Sequence, residues 1–119
     1  MMNIETFREY CLSKKYVEET FPFDEVTLVF KVAGKMFALT GLYSDVFTVN
    51  LKCDPERSIQ LREEHPSEIL PGWHMNKLHW NTVHFESSLN EALLRELTDH
   101  SYDLVVKSLP RNKREELGL

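Results

Sequence analysis

The sequence predicts an α+β domain, and three observations carry that prediction. Apolar and polar residues alternate with period 2 from Val26 to Cys53, broken by a glycine turn. Asp54-Pro55 then supplies a helix start, an acid at the N-cap with proline at the first helical position. A 3.6-residue apolar stripe runs from Leu89 to Ser108 and stops at Pro110. With 119 residues, the chain fits a single domain over 1–110 and a polar tail, expected to fray, over 111–119.

The first helix is expected over about 4–14, capped by Asn3, with Ile4, Phe7 and Cys11 as its apolar stripe. Tyr16 to Asp24 reads as a loop packed on the core by Phe21 and Phe23, because Pro22 interrupts it. Val26, Leu28, Phe30 and Val32 share one face of the next strand, and Thr27, Val29 and Lys31 the other. Gly34-Lys35 makes the hairpin turn. The return strand, Met36 to Leu42, sets Phe37 and Leu39 against Met36, Ala38 and Thr40. In a third strand Phe47, Val49, Leu51 and Cys53 point inward, leaving Asn50 and Lys52 on the solvent side.

The helix from Asp54 ends before Pro66 and turns Ile59 and Leu61 or Arg62 toward the sheet, with Arg57 and Arg62 on its partly exposed side. Glu68 to Pro71 suits a short edge strand. Gly72 to Phe85 holds both tryptophans and three of the five histidines, an irregular approach followed by a strand. On that strand Trp80, Thr82 and His84 have one parity, and His79, Asn81, Val83 and Phe85 the other. Ser88 and Glu91 have capping-box spacing ahead of the last helix.

Composition sets bounds on function. A formal charge of −5 argues against wholesale nucleic-acid binding, leaving room for a local basic face. No apolar run approaches the roughly 20 residues of a membrane span, and the N-terminus lacks the pattern of a signal peptide. Two cysteines, Cys11 and Cys53, are too few for a disulfide scaffold and read as small buried hydrophobes of a cytoplasmic protein.

Candidate chemistry is sparse. His74, His79 and His84 lack the spacing and companion ligands of a zinc site, since His79 and His84 face opposite ways on a strand. Glu96, Asp99, His100 and Asp103 on the last helix read as a solvated polar face. Neither nucleophile nor phosphate-loop motifs occur, so no catalytic residue, metal or cofactor is expected. What remains is a basic and polar set: Lys31, Lys35, Asn50, Lys52, Arg57, Arg62, Asn76, Lys77, His79 and Asn81. Lysines and arginines suit phosphates, and asparagines suit base edges. Trp73 and Trp80 offer an alternative, a surface that docks a protein partner.

Four blocks carry a family resemblance: Val29 to Ala38, Leu51 to Pro55, Pro71 to Val83 and Leu97 to Val105. In order and spacing they resemble the MmcQ/YjbR family of small bacterial proteins, across roughly residues 3–110. The resemblance implies a frataxin-like (CyaY-like) antiparallel sheet with element order α-β-β-β-α-β-β-α, which makes Glu68 to Trp73 a strand. It also implies a double-wing, DNA-binding protein without catalytic residues; double-stranded DNA is the expected partner, and the chain is expected to be a monomer. Its wings would be the Val26–Leu42 hairpin and the pair Ile69–Trp73 with His79–Phe85, on either side of the helix Asp54–His65.

Overall fold

The computed structural model describes residues 2–119. Its elements are α1 (Ile4–Leu12), β1 (Val17–Thr20), β2 (Thr27–Val32), β3 (Lys35–Gly41), β4 (Thr48–Lys52), α2 (Pro55–Glu64), β5 (Ile69–Pro71), β6 (Trp80–His84), α3 (Glu91–Ser108) and α4 (Arg111–Leu117). All six strands form one antiparallel sheet in the order β1-β2-β3-β4-β6-β5.

This arrangement corrects the expected α-β-β-β-α-β-β-α order and its two wings. The β2–β3 hairpin is no free wing, because β1 pairs with its outer edge and β4 with its inner edge. The β5–β6 pair is likewise joined to β4 through β6. Both proposed wings are therefore parts of one continuous sheet. The Tyr16–Asp24 segment, expected as a loop, contains β1. Val17 to Thr20 pairs with Val29–Val32, while Phe21 and Phe23 are exposed and do not pack on the core. The segment expected to fray also has structure: residues 111–117 form α4, and Leu119 packs against the core beyond it.

Local chemistry explains the element ends. Asn3 caps α1 in a reciprocal box with Thr6. Asp54 caps α2 by accepting from the Arg57 N–H, with Pro55 next to it. Asn90, not Ser88, caps α3 by accepting from Leu93 N–H at 2.8 Å. The β2–β3 turn sits one residue earlier than expected: Ala33 (φ 49°) and Gly34 (φ 86°) both adopt positive φ, as a two-residue turn matched to strand twist requires.

The core lies on one side of the sheet. Phe7 and Cys11 of α1, Leu61 of α2, and Leu94, Leu97 and Val105 of α3 share one buried cluster with Phe30, Val32, Val49, Leu51 and Val83 of the strands. Phe7 is its hub, with Phe30, Phe47 and Phe85 rings at 5.7, 6.1 and 5.1 Å in edge contacts. On α2, Ser58 and Leu61 turn inward while Ile59 is exposed, reversing the expectation for Ile59. A bulge alters β3: Met36 pairs with Lys31 and Ala38 with Phe30, so Phe37 has no partner across the ladder. Phe37 thereby enters the helix-side core, whereas Leu39 belongs to a separate cluster with Val29 and Trp80. Strict alternation would have put Phe37 and Leu39 together.

That second cluster marks the other face of the sheet, which no helix covers. Its partly buried members are Met36 and Met75. Register places Thr27, Gly41, Thr48 and His84 in one row across this face, and Val29, Leu39, Asn50, Thr82 and Leu70 in the next. The connection between β5 and β6 folds over it.

Candidate binding cleft on the helix-free face

A cleft of about 690 Å³ lies where that connection meets the open sheet. Leu39, Thr48, Asn50, Leu70 and Thr82 contribute to its lining from the strands. Trp73, His74 and Met75 line it from the β5–β6 connection, and Phe23 and Ser44 from the β1–β2 and β3–β4 loops. The size lies within the roughly 300–1,000 Å³ typical of ligand clefts. Its lining mixes apolar and aromatic side chains with hydroxyl, amide and imidazole groups, and no carboxylate, lysine or arginine is among it.

Trp73 is the prominent group, 70% exposed. Its backbone is nonetheless fixed at both ends of the residue. Thr82 Oγ1 accepts from the Trp73 N–H at 2.9 Å and donates to Asn50 Oδ1 at 2.6 Å, while Asn50 Nδ2 donates to the Trp73 carbonyl at 3.4 Å. The three groups close a ring of hydrogen bonds. His74 follows with φ at 58°, and its ring meets the indole edge-on at 4.7 Å. A non-glycine residue in the left-handed region is uncommon and is held there by its surroundings.

The rest of the connection is tied down as firmly. Gly72 N–H donates to Trp80 O at 2.9 Å, and Gly72 O accepts from Met75 N–H and Lys77 Nζ. A Cβ on Gly72 would sit 2.9 Å from Trp80 Cβ and 3.0 Å from both Met75 Cβ and Trp80 O, so only glycine fits without displacement. Asn76 Oδ1 accepts from Leu78 N–H and His79 N–H. From the opposite side of the sheet, Arg62 donates to Asn81 Oδ1 at 2.8 Å, Lys77 O at 2.6 Å and Trp80 O at 3.2 Å. On the other wall, Asp24 accepts from Val26 N–H, Thr27 N–H and Thr27 Oγ1, fixing the turn that carries Phe23. Those backbone donors hold the Asp24 carboxyl below its ordinary range.

The residues singled out for phosphate and base contacts do not gather on one surface. Arg62 serves the β5–β6 connection, and Arg57 is occupied by both carboxylate oxygens of Glu96. Asn81 is buried against Ser58, donating to its Oγ at 3.1 Å. Asn76 and Lys77 bond their own loop, and His79 bonds backbone to Cys53 and Asn76. Asn50 holds Trp73. Lys35 reaches back toward the Ser108 carbonyl. Lys31 and Lys52 lie on the open face, opposite Met36 and Trp80. The two tryptophans also part company: Trp80 is only 8% exposed and supports the floor beneath Met75, so Trp73 alone presents its indole.

The other candidates have ordinary structural partners. Asp99 accepts from Tyr10 Oη at 2.6 Å and pairs with Lys14, whose ammonium lies 4.9 and 5.1 Å from the Tyr10 and Tyr102 rings. Burial, with Asp99 nearby, pushes the Tyr10 hydroxyl up to about 12. His100 Nε2 accepts the N–H of Asp54, and Glu96 holds Arg57. Burial raises the Cys11 and Cys53 thiols away from the reactive range. Among the described residues, no three His, Cys, Asp or Glu side chains are grouped to hold a metal, and no helix is long and apolar enough to cross a membrane.

Sequence reasoning missed Phe23, Leu39, Leu70 and Met75 as members of a site. Their alternation signal was present, but a site on the outer face of a sheet is visible only once strand order is known. Together, fold and site define an α+β protein with one helix-packed sheet face and one open face bearing a neutral aromatic cleft. The chain belongs to the YjbR family, whose model matches residues 12–104. It is 34% identical to the Escherichia coli (strain K12) protein YjbR over 116 residues, 98% of either chain. To YbdF of Escherichia coli O157:H7 it is 39% identical, over 95% of this chain and 92% of that one.

Solved structures decide the fold. The crystal structure of the Deinococcus radiodurans protein DR2400, a DUF419 domain, is 44% identical and superposes with a TM-score of 0.94, covering 100% of this chain and 90% of that chain. A Pseudomonas syringae protein is 28% identical with a TM-score of 0.70, over 87% of this chain and 98% of that one. The open antiparallel sheet is thus that of the DUF419 domain, which replaces the frataxin-like (CyaY-like) double-wing expectation. The DNA-binding reading built on those wings falls with it.

Proposed function

We propose that the protein is a non-catalytic interaction module that takes an apolar or aromatic side chain of a partner protein in the cleft on its open sheet face. The observation that carries this reading is Trp73, an indole exposed on a backbone clamped by Asn50 and Thr82. Large exposed aromatics on rigid supports make effective anchors, because little conformational entropy remains to be lost on binding. Phe23, at 64% exposure, adds a second aromatic wall.

The sheet edges favour recognition by the face. Strand addition needs a row of free backbone donors and acceptors. On β5, Pro71 has no N–H and the Ile69 N–H is taken by His65 O at 2.9 Å. On β1, four residues long, Glu18 and Glu19 bring charge to the edge. Both are ordinary means of blocking edge pairing.

The test is amide chemical-shift mapping during titration with N-acetyl-phenylalaninamide. Shifts confined to Leu39, Asn50, Leu70, Trp73 and Thr82, and lost in Trp73→Ala, are expected. Shifts centred on α3 or α4, or none at millimolar probe, would overturn the reading.

A further inference from the structure

The surroundings of the cleft say more about its occupant than its lining does. The lining is neutral, yet the flanks at one end are acidic. Glu25 lies between Phe23 and Thr27, and Asp45 follows Ser44. Glu68 immediately precedes β5, two residues before Leu70, with its carbonyl bonded to His84 N–H. Among the described residues, none of these three carboxylates has a side-chain hydrogen bond or ion pair. Glu19, Asp24, Glu96, Asp99 and Glu115 are engaged by partners within the fold.

The cations of the open face sit at its other end. Lys31 lies between Met36 on β3 and Glu18 on β1, and Lys52 lies opposite Trp80, one row beyond the Leu39–Asn50–Thr82 row. Acids thus neighbour the lining at one end of the cleft, and the two lysines, one of them beside Glu18, lie past its other end. An acidic or phosphorylated segment would be repelled at the mouth. A cationic one would be drawn to it without burying any charge, since the lining offers an apolar side chain only neutral contacts.

Resting on the interaction reading above, we infer that the occupant is an extended segment of a partner protein with one bulky apolar or aromatic side chain flanked by lysine or arginine. The central side chain packs against Trp73 and Phe23. The flanking cations remain solvated and face Glu25, Asp45 and Glu68. Rim charges of this kind act on encounter and selectivity, and salt screens them over about 8 Å at physiological ionic strength.

Three blocked pentapeptides test this on the whole chain by the same shift mapping: Lys-Lys-Phe-Lys-Lys, Ser-Ser-Phe-Ser-Ser and Glu-Glu-Phe-Glu-Glu. The lysine peptide is expected to bind at least about fivefold tighter than the glutamate peptide, with the serine peptide between and the spread collapsing at about 1 M salt. In the triple variant Glu25→Gln, Asp45→Asn, Glu68→Gln, the serine peptide binds as before and the lysine preference disappears. Equal binding of all three peptides, or tighter binding of the glutamate peptide at the cleft, overturns the inference while leaving the interaction reading standing. If no peptide moves the cleft resonances, the interaction reading itself fails. Cleft shifts that follow protein concentration without peptide would make a second copy of the chain the occupant, and would overturn the inference.

Discussion

The two faces of the sheet are built from the same strands and are put to different uses. On the helix-packed face, Phe30, Val49, Leu51 and Val83 meet α1, α2 and α3, and rings interlock around Phe7. On the open face the neighbouring residues, Val29, Leu39, Asn50 and Thr82, are covered by a connecting segment in place of helices, and the exposed apolar groups are Phe23, Leu70 and Trp73. Polar pairing replaces hydrophobic cover there: Asn50 and Thr82 bond each other and Trp73. The contrast shows how a small domain separates stability from recognition. Stability is concentrated where burial is complete, and the opposite side is stiffened by hydrogen bonds, leaving apolar surface uncovered.

That division predicts unequal costs for mutation. Phe30→Ala removes a fully buried ring from the helix-packed face and is expected to cost about 3–5 kcal/mol in urea unfolding. A cost near zero would break the assignment of that face as the stabilising one. Gly72→Ala comes next, because its Cβ meets Trp80 backbone and the first atoms of two side chains. About 1–3 kcal/mol is expected from overpacking. Crossing peaks for residues 72–80, with the helix-side core unchanged, would show that the damage stays in the cleft wall.

How much of this was legible in the sequence follows the same division. The helix-packed face was largely readable, because Leu28, Phe30, Val32, Val49 and Leu51 obey simple alternation and Asp54-Pro55 announces its helix. Phe37 escaped because a bulge adds one residue and reverses parity, and bulges leave no reliable signature in sequence. β1 escaped because four residues beside Phe21-Pro22-Phe23 carry little periodicity, and its partner strand stabilises it. On the open face, Trp73 was identified as a docking group, but Trp80 could not be separated from it: one indole is exposed and the other covered only through the path of Gly72 to His79. Arg57 and Arg62 read as surface cations because the sequence does not reveal that Glu96 and the Lys77–Asn81 backbone lie within their reach.

A smaller effect tests how α2 is joined to the helix-packed layer. His100 Nε2 accepts the Asp54 N–H at 3.1 Å, which requires an unprotonated nitrogen. Burial and then the nearby Arg57 cation lower the His100 pKa in the folded state, against the opposing pull of Glu96, Asp54 and Asp103. The unfolded chain thus binds this proton more readily. Its contribution to stability is present above the unfolded histidine value of about 6.5 and is lost as pH falls through the folded value. Unfolding midpoints at pH 7.5 and 5.5 should fall more in the wild type than in His100→Gln, whose amide oxygen accepts the same N–H without titrating. Equal falls would remove His100 from the account.

Trp73→Ala is expected to have the least effect on stability, within about 0.5 kcal/mol, because its side chain is mostly in solvent and its backbone bonds survive the change. Its effect on binding should be the greatest. The most direct measurement therefore pairs urea unfolding of Trp73→Ala with titration of the same variant by the Lys-Lys-Phe-Lys-Lys peptide. An unchanged unfolding midpoint with cleft binding lost is the predicted result. A stability lowered by several kcal/mol, or peptide binding retained at wild-type strength, would contradict the claim that the open face is for recognition.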